Sequence, residues 1–449
     1  MNPPLDPGDA VPDPLPANGG NPKRLRGKAP KDQGLVHSFR AFRHRDYRIF
    51  WFGALASNTG TWLSNLTVPY ILFTLTGSAV WVAYATIAQL APAVLLGPLG
   101  GHMADRFNRR RVLLATQASL AVVTFALWAA WASGWHNPYM LLGFVSLIGI
   151  INGINMPSWQ SFVNDLVPRE DLMSAVALNS MQFNAARAIG PAIAGVLLAT
   201  LGPSWAFFFN FLSFGFVLAA LLCVSSTQPP SSGRSPGPVV GEFIGACRYI
   251  LGQRGLLVGI LLSVMVGLFG NPLFQLTVVF ADTVYGVGPT GLGMLNAALG
   301  IGAVLVAPLI AGWSKVLPIS KVVKWAMVLY GVGLVALGFT PSFGLALACL
   351  VLLGACFLAA ISGINTAVQL IVAERLRGRV LAVRLMFFTA SMPIGALLQG
   401  WAADLWGVQP TVILAGACML ACLLVLALVM RGSGFSRLDD PQDTSSPEF

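Results

Sequence analysis

The sequence predicts an all-α membrane protein with twelve transmembrane helices in two six-helix pseudo-repeats, and three observations predict it. Of 449 residues, 56% are hydrophobic and 10% charged, with mean hydropathy +0.73, whereas a soluble domain carries about 25% charged residues. Twelve apolar runs long enough to cross a bilayer succeed one another between residues 49 and 430. One long polar break divides them six and six, and the two sets share residues at fixed offsets. With 17 Asp plus Glu and 27 Lys plus Arg, there is too little polar surface to cover a water-soluble body of this size. A soluble enzyme and a disordered regulator are both excluded.

Residues 1–38 are polar and rich in Pro, Gly and Asp, with a basic cluster at Lys23, Arg24, Arg26, Lys28 and Lys31. They read as a disordered cytoplasmic tail without the apolar region of a cleavable signal peptide. Arg40, Arg43, Arg45 and Arg48 precede the first apolar run, holding the N-terminus in the cytoplasm beside anionic headgroups. The N-terminal bundle, 39–224, has spans near 49–74, 79–103, 112–133, 139–164, 172–201 and 204–224. A cytoplasmic linker, 225–254, is Pro/Ser/Gly-rich and then amphipathic. The C-terminal bundle, 255–430, has spans near 256–281, 290–313, 321–340, 343–372, 380–405 and 409–430, and 431–449 reads as a second disordered cytoplasmic tail. A crossing needs roughly 20 residues at 1.5 Å each, so the longer spans imply tilt.

The loops that twelve spans place outside, near 75–78, 134–138, 202–203, 282–289, 341–342 and 406–408, contain no Lys or Arg. Every basic residue except Arg187 and Arg384 falls in the tails, the cytoplasmic loops or their flanks. The formal net charge of +10 therefore reads as topology, with both termini cytoplasmic in a cell membrane, and not as a nucleic-acid surface.

The halves resemble each other. At an offset of 205, Ala177, Met181, Phe183, Gly190, Gly195 and Gly202 match Ala382, Met386, Phe388, Gly395, Gly400 and Gly407. At an offset of 210, Ala88, Ala93 and Pro98 match Ala298, Ala303 and Pro308, while Gly153 and Asn155 match Gly363 and Asn365. Two parallel six-helix repeats place a shared cavity between them. The six cysteines lie mostly in apolar runs without metal-ligand spacing and read as small hydrophobes. With no metal cluster, Walker loop or catalytic triad in the sequence, neither an enzyme nor ATP-driven transport by this chain is expected, and no cofactor or metal site.

The loop after the second span reads Gly101, His102, Met103, Ala104, Asp105, Arg106, Phe107, Asn108, Arg109, Arg110, Arg111. A glycine near the helix end, a carboxylate at the membrane edge and a basic cluster that can pair with it or with helix C-termini exceed what a positive-inside loop requires. The run resembles the GxxxDRxGRR signature of the major facilitator superfamily, with Asn108 in place of the second glycine; asparagine also tolerates left-handed backbone. The resemblance implies the facilitator fold and a gating role for Gly101, Asp105, Arg106, Arg109 and Arg110, stabilising an outward-facing state through charge contacts to the other half. The corresponding loop of the second half carries Lys315 in place of the carboxylate.

Span five contains Asn179, Phe183, Asn184, Ala186, Arg187, Gly190, Pro191, Ala194 and Gly195. Its small residues allow close helix approach, and the run is similar to the Gx8Gx3GPx2GG motif of facilitator exporters, with Ala in three glycine slots. Gly190, Pro191 and Gly195 would form the kinked packing segment. Together with Leu166 to Glu170 and Arg377, Gly378, Arg379, Val380 and Ala382, the run resembles the enterobactin-exporter and macrolide-efflux branch over residues 40–430. Arg187 lies about 15 residues into its span, where a lone arginine costs roughly 2.5 to 3.5 kcal/mol on insertion scales. No Asp or Glu occupies the centre of any span. Its partner is therefore either a structural hydrogen-bond acceptor or an anionic substrate, and the sequence leaves both open. Arg384, nearer the cytoplasmic end, is expected to snorkel.

The other polar residues inside spans are neutral: Asn58, Thr61, Trp62 and Asn65 on one face of span 1, Asn152, Asn155 and Gln160 in span 4, Asn271 and Gln275 in span 7, and Asn365 and Gln369 in span 10. Each alone could be interhelical glue. The resemblance implies that spans 1, 4, 7 and 10 line the cavity, which makes Asn58, Trp62, Asn65, Asn155, Asn184, Arg187, Asn271, Gln275 and Asn365 candidate cavity residues. With the resemblance, these residues lead to the expectation of a monomeric secondary exporter of siderophores or drugs, working by alternating access with the proton as coupling ion. The alternative is an importer of a small anionic nutrient.

Overall fold

In a computed structural model, residues 39–225, 239–313, 317–429, 435 and 438–439 are described. The 1–38 tail, most of the Pro/Ser/Gly linker, Lys315 and the side chain of Asp105 lie outside the described residues. Among the described residues there is no strand. The twelve long helices are α1 (Arg45–Thr76), α2 (Ala79–Arg106), α3 (Arg109–Ala132), α4 (Pro138–Asp165), α5 (Leu172–Thr200) and α6 (Pro203–Cys223), then α7 (Arg254–Val284), α8 (Gly288–Trp313), α9 (Ile319–Gly338), α10 (Phe343–Ile371), α11 (Arg377–Trp406) and α12 (Val408–Val429).

Eleven of these are long and apolar enough to cross a membrane. The twelfth, α1, has the length at 32 residues but carries Ser57, Asn58, Thr59, Thr61, Ser64, Asn65 and Thr67 within three turns. Its hydroxyls at Thr59, Thr61 and Thr67 donate to carbonyls four residues back, which removes their polarity from the helix surface.

Helix ends obey local chemistry. Gly77 closes α1 at φ +65°, a conformation glycine adopts without a Cβ clash. Asn108 caps α3 by accepting from the Arg111 amide at 3.2 Å, as an N-cap side chain does. The repeat is visible in the backbone: Gly202 and Gly407, matched at 205, end α5 and α11 with φ +83° and +90°. Gly190 and Gly395 repeat a second role. A Cβ on Gly190 would meet the Thr59 carbonyl and Trp62 of α1, and one on Gly395 would lie 2.3 Å from the Leu268 carbonyl of α7. Helix α5 continues unbroken through Pro191.

Helix α7 departs from the single regular span expected at 256–281. Two π turns, Val266–Gly270 and Phe280–Val284, interrupt it on either side of Pro272. Proline removes one ladder donor and its ring crowds the preceding turn. The Gln399 amide of α11 donates to the Leu268 carbonyl at 2.8 Å, satisfying part of the opened ladder.

Between the halves, α5 packs on α8 and α2 on α11. Gly195 meets Gly293, Ala188 meets Gly300, and Gly400 meets Ala79. These contacts lie in the middle and toward the end away from Arg109–Arg111 and Arg377. At that far end Asp404 of α11 accepts from the Ala79 amide at 2.6 Å, the Val80 amide at 3.3 Å and the Ser78 hydroxyl at 2.5 Å, capping α2 across the interface. Toward the basic end the same helices separate: Met181 of α5 and Leu305 of α8 are 46% and 62% exposed. The molecule is closed at the far end and open at the basic end.

Two segments are more ordered than expected. The amphipathic part of the linker is a helix, Val239–Gly252, with Ala246 and Ile250 buried in the C-terminal core. In the tail expected to be disordered, Phe435 and Leu438 are buried in the same core, and Asp439 accepts from the Ser320 amide at 3.1 Å and from its hydroxyl. An apolar pair three residues apart, with a capping carboxylate for α9 immediately after it, supplies both burial and a partner.

Candidate functional site

Arg187 stands between the halves, and aromatic faces surround it. Its guanidinium carbon lies 4.2 Å from the ring centre of Phe274 on α7, 5.4 Å from Phe357 on α10 and 5.5 Å from Trp62 on α1. Phe274 and Phe357 meet edge to face at 5.1 Å, Tyr330 of α9 packs on Phe357 at 6.1 Å, and the Tyr330 hydroxyl donates to the Gly270 carbonyl at 2.8 Å. Each cation–π contact contributes about 0.5 to 2 kcal/mol depending on desolvation. Three of them are comparable to the insertion cost of the charge and hold the plane of the guanidinium without using its N–H donors. Among the described residues, no carboxylate and no hydrogen-bond acceptor engages it. A permanent cation with unspent donors between the two halves is suited to an anion.

The other buried arginine is differently held, and the expectation that Arg384 snorkels is incorrect. It is 6% exposed, donating to the Asn365 carbonyl oxygen at 2.8 Å and to Ser263 at 3.4 Å. These acceptors make the interior position tenable, so the side chain stays inside the C-terminal half.

The candidate cavity residues divide. Trp62 and Arg187 are in direct contact; Asn65 accepts from Gln89 of α2 at 3.0 Å, and Asn65 and Gln275 border one chamber. Asn155 is not at the cavity: it is 6% exposed and accepts from Thr116 and Gln117 of α3 at 2.9 and 3.2 Å. Its repeat partner Asn365 holds Arg384. Both serve as acceptors inside their own half, because the alternative for a buried carboxamide is an unpaired polar group. The Asn184 amide donates to the Ser180 carbonyl of its own helix at 2.8 Å. Asn58 and Asn271 are half-buried on α1 and at the break of α7.

At the basic end, Arg109 pairs with Asp165 of α4, its Nη1 lying 2.7 and 2.9 Å from the two carboxylate oxygens. Arg110 donates to the Leu221 and Leu222 carbonyls of α6 at 2.7 and 2.9 Å, the arrangement favoured at a helix C-terminus. Arg106 lies 5.9 Å from the Phe107 ring. All of these partners are within the N-terminal half, consistent with a basic end that is open. Gly101 has open space where a Cβ would sit; the close approach is made by Gly100, whose Cβ would lie 2.3 Å from the Gly153 carbonyl. Sequence reasoning did not find Phe274, Phe357 and Tyr330, which are three rings among 27 Phe and 7 Tyr. The only signal for them in the sequence is the adjacency of Phe274 to Gln275.

Two six-helix halves, joined at one end and parted at the other around a central cation, define a two-domain transporter of the major facilitator fold. Residues 36–443 match the transmembrane secretion effector family of that superfamily, and the chain belongs to it. It is 24% identical over 384 residues to the staphyloferrin A transporter of Staphylococcus aureus, covering 83% of this chain and 93% of the relative. It is also 24% identical over 389 residues to the multidrug efflux pump Tap of Mycobacterium tuberculosis, covering 84% and 91%. Among solved structures, the nucleoside transporter NupG aligns with a TM-score of 0.67 at 12% identity over 86% of this chain and 99% of the other. A bacterial homolog of the human lysosomal transporter Spinster aligns with a TM-score of 0.64 at 16% identity, covering 88% and 96%.

Proposed function

We propose that this chain exports amphipathic small molecules bearing an anionic group, of siderophore or drug type, by alternating access across the cell membrane with both termini cytoplasmic. The observation that carries this reading is Arg187, a cation with unspent N–H donors among Trp62, Phe274 and Phe357 at the junction of the halves. Aromatic faces take the apolar body of such a solute and the guanidinium takes its acid. The open basic end is then the cytoplasmic mouth, in keeping with the charge bias of the loops. A siderophore transporter and a multidrug efflux pump among the relatives agree with this solute class.

Proton influx is the coupling this reading adopts, with Asp404 as the outer acceptor. Protonated, Asp404 can no longer accept from both α2 amides and the Ser78 hydroxyl, and the far end is released to open. The test is efflux from proteoliposomes holding the full chain under an imposed proton gradient. Wild type moves an amphipathic fluorescent acid outward relative to the cell, and Arg187→Gln abolishes the movement. Transport unaffected by Arg187→Gln contradicts the reading. A deletion strain made hypersensitive to toxic compounds supports export, whereas one starved of a nutrient reverses the direction.

A further inference from the structure

Beside the arginine lies a second space, inside the N-terminal half. It has a volume of about 60 Å³ and no charged residue in its lining. Its polar groups are neutral, with Asn65, Thr86, Gln89, Thr124 and Asn152 from the N-terminal half and Gln275 from α7 closing it on the other side. A water needs roughly 10 to 15 Å³ by this measure, so the space takes a few waters or one small polar group and is far too small for a whole drug-sized solute.

Two hydroxyls in its lining are anomalous. Thr59, Thr61, Thr67 and Thr116 each return their hydroxyl to a carbonyl four residues back. Thr86 and Thr124, 3% and 1% exposed, do not, and neither hydroxyl has a partner. A buried hydroxyl left unpaired is unfavourable, and two of them bordering one cavity from different helices mark a place where partners arrive from outside the chain. An ion is a poor occupant, since nothing in the lining offsets the desolvation of a charge. A neutral group that both donates and accepts is matched to hydroxyls and carboxamides.

The chamber and the arginine share two elements. On α1, Trp62 touches Arg187 and Asn65, three residues on, lines the chamber; on α7, the consecutive Phe274 and Gln275 do the same. We infer that the chamber is a second subsite of the transported solute, taking a neutral carboxamide or hydroxyl arm while the acid of the same molecule meets Arg187. This rests on the reading of Arg187 as the anion site and narrows the solute to an acid carrying a neutral hydrogen-bonding arm.

Dansyl-glutamine and dansyl-norleucine test it, because they share an acid and an apolar ring and differ only in whether the side arm is a carboxamide or an alkyl chain. Each is titrated by fluorescence against the full-length chain in detergent. In the double variant Thr86→Val, Thr124→Val, dansyl-glutamine is expected to bind about five- to tenfold more weakly while dansyl-norleucine changes by less than about twofold. The melting temperature is expected to stay level or rise, since no native hydrogen bond is lost. Both probes weakened alike, or neither, with Arg187→Gln still weakening both, overturns the chamber assignment alone. If wild type binds neither acid, or Arg187→Gln binds both as wild type does, the anion reading falls and the subsite with it.

Discussion

Arg187 and Arg384 are both membrane-embedded arginines on helices that occupy equivalent places in the two repeats, yet their surroundings are opposites. At the offset of 205, Arg187 corresponds to Met392 and Arg384 to Asn179, so neither charge is inherited from the duplicated unit. Arg384 has Asn365 and Ser263 as acceptors within its own half. Arg187 has three aromatic faces drawn from both halves and no acceptor among the described residues. Burial of a charge therefore does not by itself mark function. The informative property is whether the N–H donors are already used.

The interiors of the halves differ in the same sense. The C-terminal half has one continuous apolar core that reaches α1 and α5, whereas the N-terminal half has three separate clusters around the polar chamber. One half is the firmer body, and the other carries the neutral hydrogen-bonding groups.

The contrast between the two arginines is broken most sharply by exchanging their fates. Arg187→Gln should weaken binding of an amphipathic acid by about 10- to 100-fold, the loss of a charge-assisted hydrogen bond, with the melting temperature unchanged or higher. Fluorescence titration and a thermal melt on one preparation check both parts. Arg384→Leu should show the reverse. Leaving the Asn365 oxygen unpaired costs about 1 to 3 kcal/mol, read as a lower melting temperature, while the surviving protein binds the acid within about twofold of wild type. Phe274→Leu keeps volume but removes the nearest ring, and should weaken acid binding by a smaller factor, about two- to fivefold, through a less constrained guanidinium.

A smaller, geometric effect is expected at the far end. Asp404→Asn keeps one acceptor oxygen but loses the charge that favours the α2 N-terminus, a contribution of about 0.3 to 1 kcal/mol. Distances between spin labels on α2 and α11 at that end should then show a larger open population than in wild type. An unchanged distribution would remove Asp404 from the gate.

Much of the fold is legible in the amino-acid sequence, because a bilayer demands about 20 apolar residues per crossing and penalises basic residues outside. The repeat is legible too, since Gly202 with Gly407 and Gly190 with Gly395 answer backbone demands that only glycine meets. The site is legible in part. Arg187 stands out as a charge in an apolar run, but its rings come from α1, α7 and α10, and helix rotation in the assembled bundle decides which of many phenylalanines face it. The same gap explains Asn155, which carries the composition of a cavity residue and the surroundings of a core acceptor. It also explains Arg384, whose partners are 19 and 121 positions away in sequence.

Charge recognition is the property on which the assignment of Arg187 stands or falls. Dansyl-norleucine and its uncharged amide are titrated against wild type and Arg187→Gln under identical salt. Wild type is expected to prefer the acid by about tenfold or more, as one charge-assisted hydrogen bond supplies, and the variant to bind acid and amide alike. Equal preference for the acid in both proteins would contradict the assignment of Arg187 as the anion site.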